Sequence, residues 1–264
     1  MNSNETHTIM KKVAFPIVAL ALAFALFACK NETKTETEAL PEDLAVAEAS
    51  EETSPEHLYV TASSGLTLRQ HDNLNSEKLA VMPYGTKVKV ISEEKETTMT
   101  VGGIKGGMHQ VEYNQHTGYA FNGYLSRFFP PEEDMRPNAY AEALKAQFPN
   151  VSFSETTGGT ASNPSNTATL LLPTTQWHEG FYIAKQLFDI PTEFAFPNPK
   201  GSNEEVVKQT KPKSGAWASE LQVNRQNDRL EKITYSYRAE GFGYTVTITQ
   251  EGDTMKLART DVAD

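Results

Sequence analysis

The chain of 264 residues contains a single cysteine, Cys29. No intramolecular disulfide can form, and no second thiol is present for a metal site or redox pair. Positive charge is also scarce: 24 Lys and Arg stand against 34 Asp and Glu, a net charge of −10. A nucleic-acid binder needs a basic stripe, so that class is excluded. The apolar run Val13 to Ala28 is shorter than the ~20 residues a spanning helix requires. Catalytic signatures are missing too. No Gly-x-Ser-x-Gly elbow occurs for a serine hydrolase. Trp177-His178-Glu179-Gly180 lacks the second histidine of a His-Glu-x-x-His zinc helix. Thr157 to Thr167 is rich in glycine and hydroxyls, but no Gly-Lys-Ser or Gly-Lys-Thr follows, so it reads as a plain surface loop and not a phosphate cradle. His57, His71, His109 and His116 match no metal spacing and read as solvated turn residues. Paired carboxylates for glycoside cleavage have no sequence signature, so that chemistry stays open as the least favoured reading.

What is present begins at the N-terminus. Lys11 and Lys12 precede the apolar run, and small residues end it, which is the order of a secretory signal. Leu26-Phe27-Ala28-Cys29 resembles the bacterial lipobox. That resemblance implies cleavage before Cys29 and acylation of its sulfur and new amino group, including palmitate. A cleaved signal with a chance cysteine, or a short membrane anchor, is the rival. Glu5 is out of place in a basic leader, so Met10 is the better start than Met1. Residues 1–28 are thus expected to be a lipoprotein signal peptide. Several acyl chains hold a protein stably on a bilayer without spanning it.

Residues 29–56 carry nine acids against Lys30 and Lys34 and no aromatics. Such composition cannot bury enough surface to fold and repels itself into an extended spacer. A short helix over Glu38 to Ser50 is the alternative. Lys30 after the cysteine resembles the sorting pattern for the outer membrane of two-membrane bacteria, on the periplasmic face or the surface.

From residue 57 to 128 the pattern turns to period two, with Val81, Val88, Val90, Val111 and Tyr113 predicted on a buried face. Pro83-Tyr84-Gly85 and Asn114 to Gly118 are turns. Strands this short make a small closed or half-closed antiparallel barrel. Gly65-Leu66-Thr67-Leu68-Arg69, Pro83-Tyr84-Gly85-Thr86-Lys87-Val88 and Gly118-Tyr119-Ala120-Phe121 with Gly123-Tyr124-Leu125 resemble the three motifs of the bacterial SH3-like (SH3b) domain. Met108 and Tyr119 stand where that family usually has tryptophan, and Glu93 to Gly107 forms an extended polar hairpin in place of a short loop. The resemblance implies a recognition module for cell-wall peptides or envelope proteins. Small barrels present loop aromatics to extended peptides. Tyr84, Tyr113, Tyr119, Phe121 and Tyr124 are the candidate ligand groove.

Phe128 to Asp134 breaks the pattern, and residues 129–137 read as a linker. Tyr140, Leu144 and Phe148 share a helix face that Pro149 ends. Ala168 to Leu172 is a short strand. Trp177 to Phe188 is an amphipathic helix presenting Phe181, Ala184, Leu187 and Phe188. Phe194 and Phe196 tuck down a proline-rich stretch, and Glu204 to Lys208 reads as one helical turn. From Trp217, four alternating strands joined by three short turns form an antiparallel meander. Residues 138–264 are therefore expected to be an α+β domain, and they resemble no named family. The chain is mainly β: signal, tether, small SH3-like barrel, α+β domain. The expected function is non-catalytic binding in the cell envelope, without cofactor or metal. The membrane, through Cys29, and peptidoglycan or an envelope protein are the expected partners. An interaction subunit acting through the second domain is the alternative, and a cell-wall hydrolase a third.

Overall fold

The computed structural model describes residues 56–212 and 214–263. The signal, Cys29 and the tether as far as residue 55 lie outside the described residues. The described residues all belong to one compact unit.

The first half opens with β1 (His57–Val60), β2 (Leu66–Arg69), β3 (Lys78–Met82) and β4 (Lys87–Ser92). The hairpin β5 (Met99–Val101) and β6 (Ile104–Gly106) is followed by β7 (Met108–Tyr113), β8 (His116–Phe121), a 3-10 turn (Asn122–Tyr124) and β9 (Leu125–Ser126). Seven of these strands form one antiparallel sheet in the order β3-β2-β8-β7-β4-β1-β9. Its two ends, β3 and β9, are not paired with each other in that order, so the ladder is not a closed barrel. Its tight turn at Asn114 and Gln115 has positive φ at both residues, which matches the right-handed twist of the flanking strands.

Alternation holds for most of this half. Val88 and Val111 are fully buried with Leu58, Val60, Leu68 and Ala120, while Val90 and Tyr113 are half-buried. Val81 departs from expectation: it is 57% exposed, and Met82 fills the core in its place. Alternation along β3 turns Met82 inward, so its neighbour Val81 faces solvent. His109 also departs, being buried on β7, where its Nδ1 accepts the Glu94 amide at 2.9 Å. The predicted hairpin at 93–107 exists. A Cβ at Gly103 in its turn would approach Asn198 of the second half at 3.2 Å, so the hairpin rests there.

The second half contains α1 (Pro137–Lys145), β10 (Ser152–Gly159), β11 (Pro164–Leu172), α2 (Trp177–Leu187) and β12 (Glu204–Lys208). It ends with β13 (Ala216–Gln226), β14 (Arg229–Ala239), β15 (Phe242–Glu251) and β16 (Thr254–Val262). The predicted meander is β13 to β16, and it is the middle of a seven-stranded antiparallel sheet, β10-β11-β16-β15-β14-β13-β12. Two sequence expectations are corrected here. Thr157 to Thr167 is the hairpin between β10 and β11, closed by Thr160 and Asn163 through paired backbone bonds. Its threonines favour strand once β16 supplies a ladder at Thr167↔Thr260. Glu204 to Lys208 is an edge strand, because Val206 and Val207 pair with Gln222 and Leu221 while one isolated turn cannot repay helix nucleation.

Register builds the core. Leu170, Leu257, Ile248, Ile233 and Val223 lie side by side across five strands, all fully buried. α2 covers this face with Phe181, Ala184 and Leu187, and Phe194 and Phe196 are buried as predicted. Gly180 lets α2 approach, since a Cβ there would lie 2.6 Å from Met255 Cγ. α1 buries Tyr140, Ala141 and Leu144.

The two halves share one continuous core. Residues 129–137 are not a free spacer: Phe129 packs edge-on to both Tyr59 (6.2 Å) and Tyr140 (5.1 Å), and the Tyr140 hydroxyl donates to the Phe129 carbonyl at 2.8 Å. A polar clasp adds to this. The Ser126 hydroxyl on β9 donates to Glu179 Oε1 at 2.6 Å, and Thr174 Oγ1 donates to Oε2 at 2.6 Å. Burial pushes the Glu179 carboxyl above its usual range, against the pull of those two hydroxyls and of Arg127. Arg127 lies over the Phe128 and Phe148 rings and donates to the Pro173 carbonyl.

Candidate functional site

The loop from β1 to β2 supplies Ala62, Ser63 and Ser64 to the wall of a cleft. β2 adds Leu66, Thr67 and Arg69, and the inserted hairpin adds Val101. The floor is Met108, Phe121 and Tyr124, and α2 of the second half closes it with Tyr182. The cleft holds about 250 Å³. That is near the lower end of ligand cavities, which start at about 300 Å³, so it suits one or two amino-acid side chains or a chain terminus.

Three forces hold this geometry. Phe121 and Tyr124 pack edge to face at 5.7 Å, and Tyr124 meets Tyr182 at 6.4 Å. Burial, with the adjacent Tyr124 hydroxyl, pushes the Tyr182 phenol well above its ordinary value, so it stays a neutral donor. Gly102, at φ +56°, turns the hairpin where a Cβ would come 2.8 Å from the Tyr124 hydroxyl. Arg69 Nη1 donates to the Ser76 carbonyl at 2.8 Å, which fixes the guanidinium at the rim. Its fork has further donors, and among the described residues it makes no ion pair. An apolar floor, rim hydroxyls and one cation can seat an apolar side chain beside a carboxylate.

The five aromatic residues expected to form one groove are divided. Phe121 and Tyr124 line this cleft, and Phe121 is only 3% exposed, so it is more floor than contact. Tyr84 lines a separate opening of about 720 Å³ with Tyr59, Gly85, Phe129, Pro130, Pro131, Glu132, Glu133 and Gln186. Burial raises the Tyr84 phenol. Tyr113 and Tyr119 are half-buried and line neither opening. Strand alternation places Tyr119 one position from buried Ala120, paired with Gln110 on β7. Sequence reasoning missed Tyr182, Val101 and Arg69. Arg69 lay within a recognised motif, but nothing in the order of residues links Tyr182 to residues some sixty positions earlier.

His178 sits against Phe196 with ring centroids 6.1 Å apart, and burial pushes its imidazole down to about 4. Among the described residues, no group of three or more His, Cys, Asp or Glu side chains is placed to hold a metal ion. No described helix is long and apolar enough to cross a membrane. Cys29 lies outside the described residues.

Residues 64–126 match the family model of the bacterial SH3 domain. The match spans β2 to β9 and includes most of the cleft wall, but not Tyr182. No curated protein and no solved structure matches the chain.

Proposed function

We propose that this chain is a lipid-anchored protein of the cell envelope that binds, without chemistry of its own, a short peptide of the cell wall or of an envelope protein. Acylation at Cys29 would hold it at the outer membrane, and the acidic tether would lift the folded unit clear. Support for a binding module comes from the bacterial SH3 domain match at residues 64–126. The observation that carries the reading is the cleft between Arg69, Tyr124 and Tyr182, with its apolar floor and one rim cation. Such a site fits a peptide that ends in, or carries, a carboxylate next to a small apolar group. Stem peptides of peptidoglycan have that chemistry.

The test is co-sedimentation of residues 52–264, which contain the whole compact unit of described residues, with purified peptidoglycan sacculi. Saturable pelleting is expected, and Arg69→Gln should weaken it about tenfold, the loss of a charge-assisted hydrogen bond. Tyr119→Ala, outside the cleft, should leave it unchanged. If neither form pellets, the wall is not the ligand.

A second reading rests on the other half. Trp217 is 71% exposed and Phe242 41% exposed, near the same end of the large sheet. Exposed aromatics of this size commonly mark protein contacts. A photocrosslinker at position 217 in intact envelopes would capture a partner if the second half recruits one.

A further inference from the structure

The large sheet ends in β12, Glu204-Glu205-Val206-Val207-Lys208, and all five residues are exposed. Val206 is 52% exposed and Val207 42%. An edge strand offers unpaired amides and carbonyls to another strand. Which residues offer them follows from the flanking bonds. The Arg225 amide donates to the Asn203 carbonyl at 2.7 Å, and the Gln209 amide donates to the Ser219 carbonyl at 2.9 Å. Antiparallel pairing alternates, so the odd-numbered residues between them turn their backbone towards β13. Glu204, Val206 and Lys208 therefore turn theirs outward.

From this edge we infer that two copies of the chain pair through β12, antiparallel, about a two-fold axis at Val206. In that register Val206 faces Val206 of the second copy. Glu204 faces Lys208, and Lys208 faces Glu204. The outward-turned residues then meet one another, as a continuous ladder requires. Opposite charges lie directly across the seam, where such pairs stabilise and like charges destabilise. Neighbouring registers lose this match. An axis at Glu205 sets glutamate against glutamate, and an axis at Val207 sets Val206 against Lys208. β3, an edge of the other sheet, has Lys78 and no acid among its residues, so it lacks the same complementarity. Backbone geometry is already fixed by Arg225, whose buried guanidinium holds Asn198, Ser202 and Glu205 at 2.7–3.0 Å. A five-residue seam is small, so association is reversible and falls in the weak interface class.

Sedimentation of the full chain in detergent over a series of concentrations tests this. The parent should show a monomer–dimer equilibrium. Glu204→Lys and Lys208→Glu each place like charges across the seam twice, and each should weaken association about tenfold or more. An equimolar mixture of the two variants restores opposite charges at both positions and should dimerise at least as well as the parent. Because these side chains are exposed, folding is preserved, which circular dichroism verifies. As a second measure, Val206→Cys in a Cys29→Ser background should form a disulfide-linked dimer, since hydrogen-bonded cross-strand pairs have Cα atoms about 5.5 Å apart. A parent that stays monomeric overturns the inference. So does association that neither charge reversal weakens, or a mixture that fails to recover it.

Discussion

Ser126 belongs to the first half of the described chain, while Glu179 and Thr174 belong to the second. Replacing Ser126 by alanine removes a 2.6 Å donor to the buried Glu179 carboxyl. A buried acceptor left without its donor costs about 2 kcal/mol. The same hydroxyl also accepts the buried Phe128 amide at 3.0 Å. Leaving that amide unpaired costs about 1 kcal/mol more. The sum, about 3 kcal/mol, corresponds to a fall in melting temperature of roughly 10 °C for a chain of this size. Urea unfolding followed by tryptophan fluorescence is the assay. The two tryptophans, Trp177 and Trp217, both lie in the second half. A substitution in the first half that moves their transition therefore reports coupling through the shared core. Glu179→Gln extends the test over pH. Burial raises the Glu179 carboxyl, so the folded state keeps its proton where the unfolded chain has lost it. Glu179 thus contributes most in acid, and its share declines as pH rises above the unfolded value of about 4.5 towards the raised one. The parent-minus-Gln difference should shrink across that window. A loss below about 0.5 kcal/mol for Ser126→Ala, the level of an ordinary surface change, would refute the argument. A tryptophan transition that stayed in place would refute it equally.

His178 should act with the opposite sign: its ring stays neutral to about 4 in the fold but titrates near 6.5 when unfolded, so stability is lost as pH falls between those values. Partial exposure reduces the effect to about 2 kcal/mol, and His178→Gln should flatten that part of the pH–stability curve. Arg225→Met removes the three bonds that pin residues 198–205, at a cost of about 2 kcal/mol, and hydrogen exchange of those amides should accelerate while β14 and β15 stay protected. Gly180→Ala drives a methyl into Met255 and should destabilise by about 1–3 kcal/mol in thermal unfolding, with partial rescue by Met255→Ala.

The meander was legible in the sequence because its information is local. Ile233 and Tyr235 alternate with polar neighbours, and Asn227 and Asp228 accept the positive φ their turn needs. The helix faces of α1 and α2 were readable for the same reason, each being a stripe at three- and four-residue spacing, although α1 stops at Lys145 and leaves Phe148, expected on its face, beyond the helix. The motifs of residues 65–125 fixed the small antiparallel sheet. Strand edges and partners were not local. Glu204 to Lys208 becomes strand only because β13 runs beside it, and Thr157 to Thr167 only because β16 does. His109 reads as polar in any window, yet the fold buries it and gives its Nδ1 a backbone partner. The cleft is the clearest case: Arg69 and Tyr124 came with the motifs, but Tyr182 arrives from a helix whose face reads as plain core. Period and turn chemistry act over a few residues, so the sequence by itself determined the elements. Pairing of the two sheets' edges, the Glu179 clasp and the cleft depend on which distant residues burial brings together, and only the tertiary structure decided those.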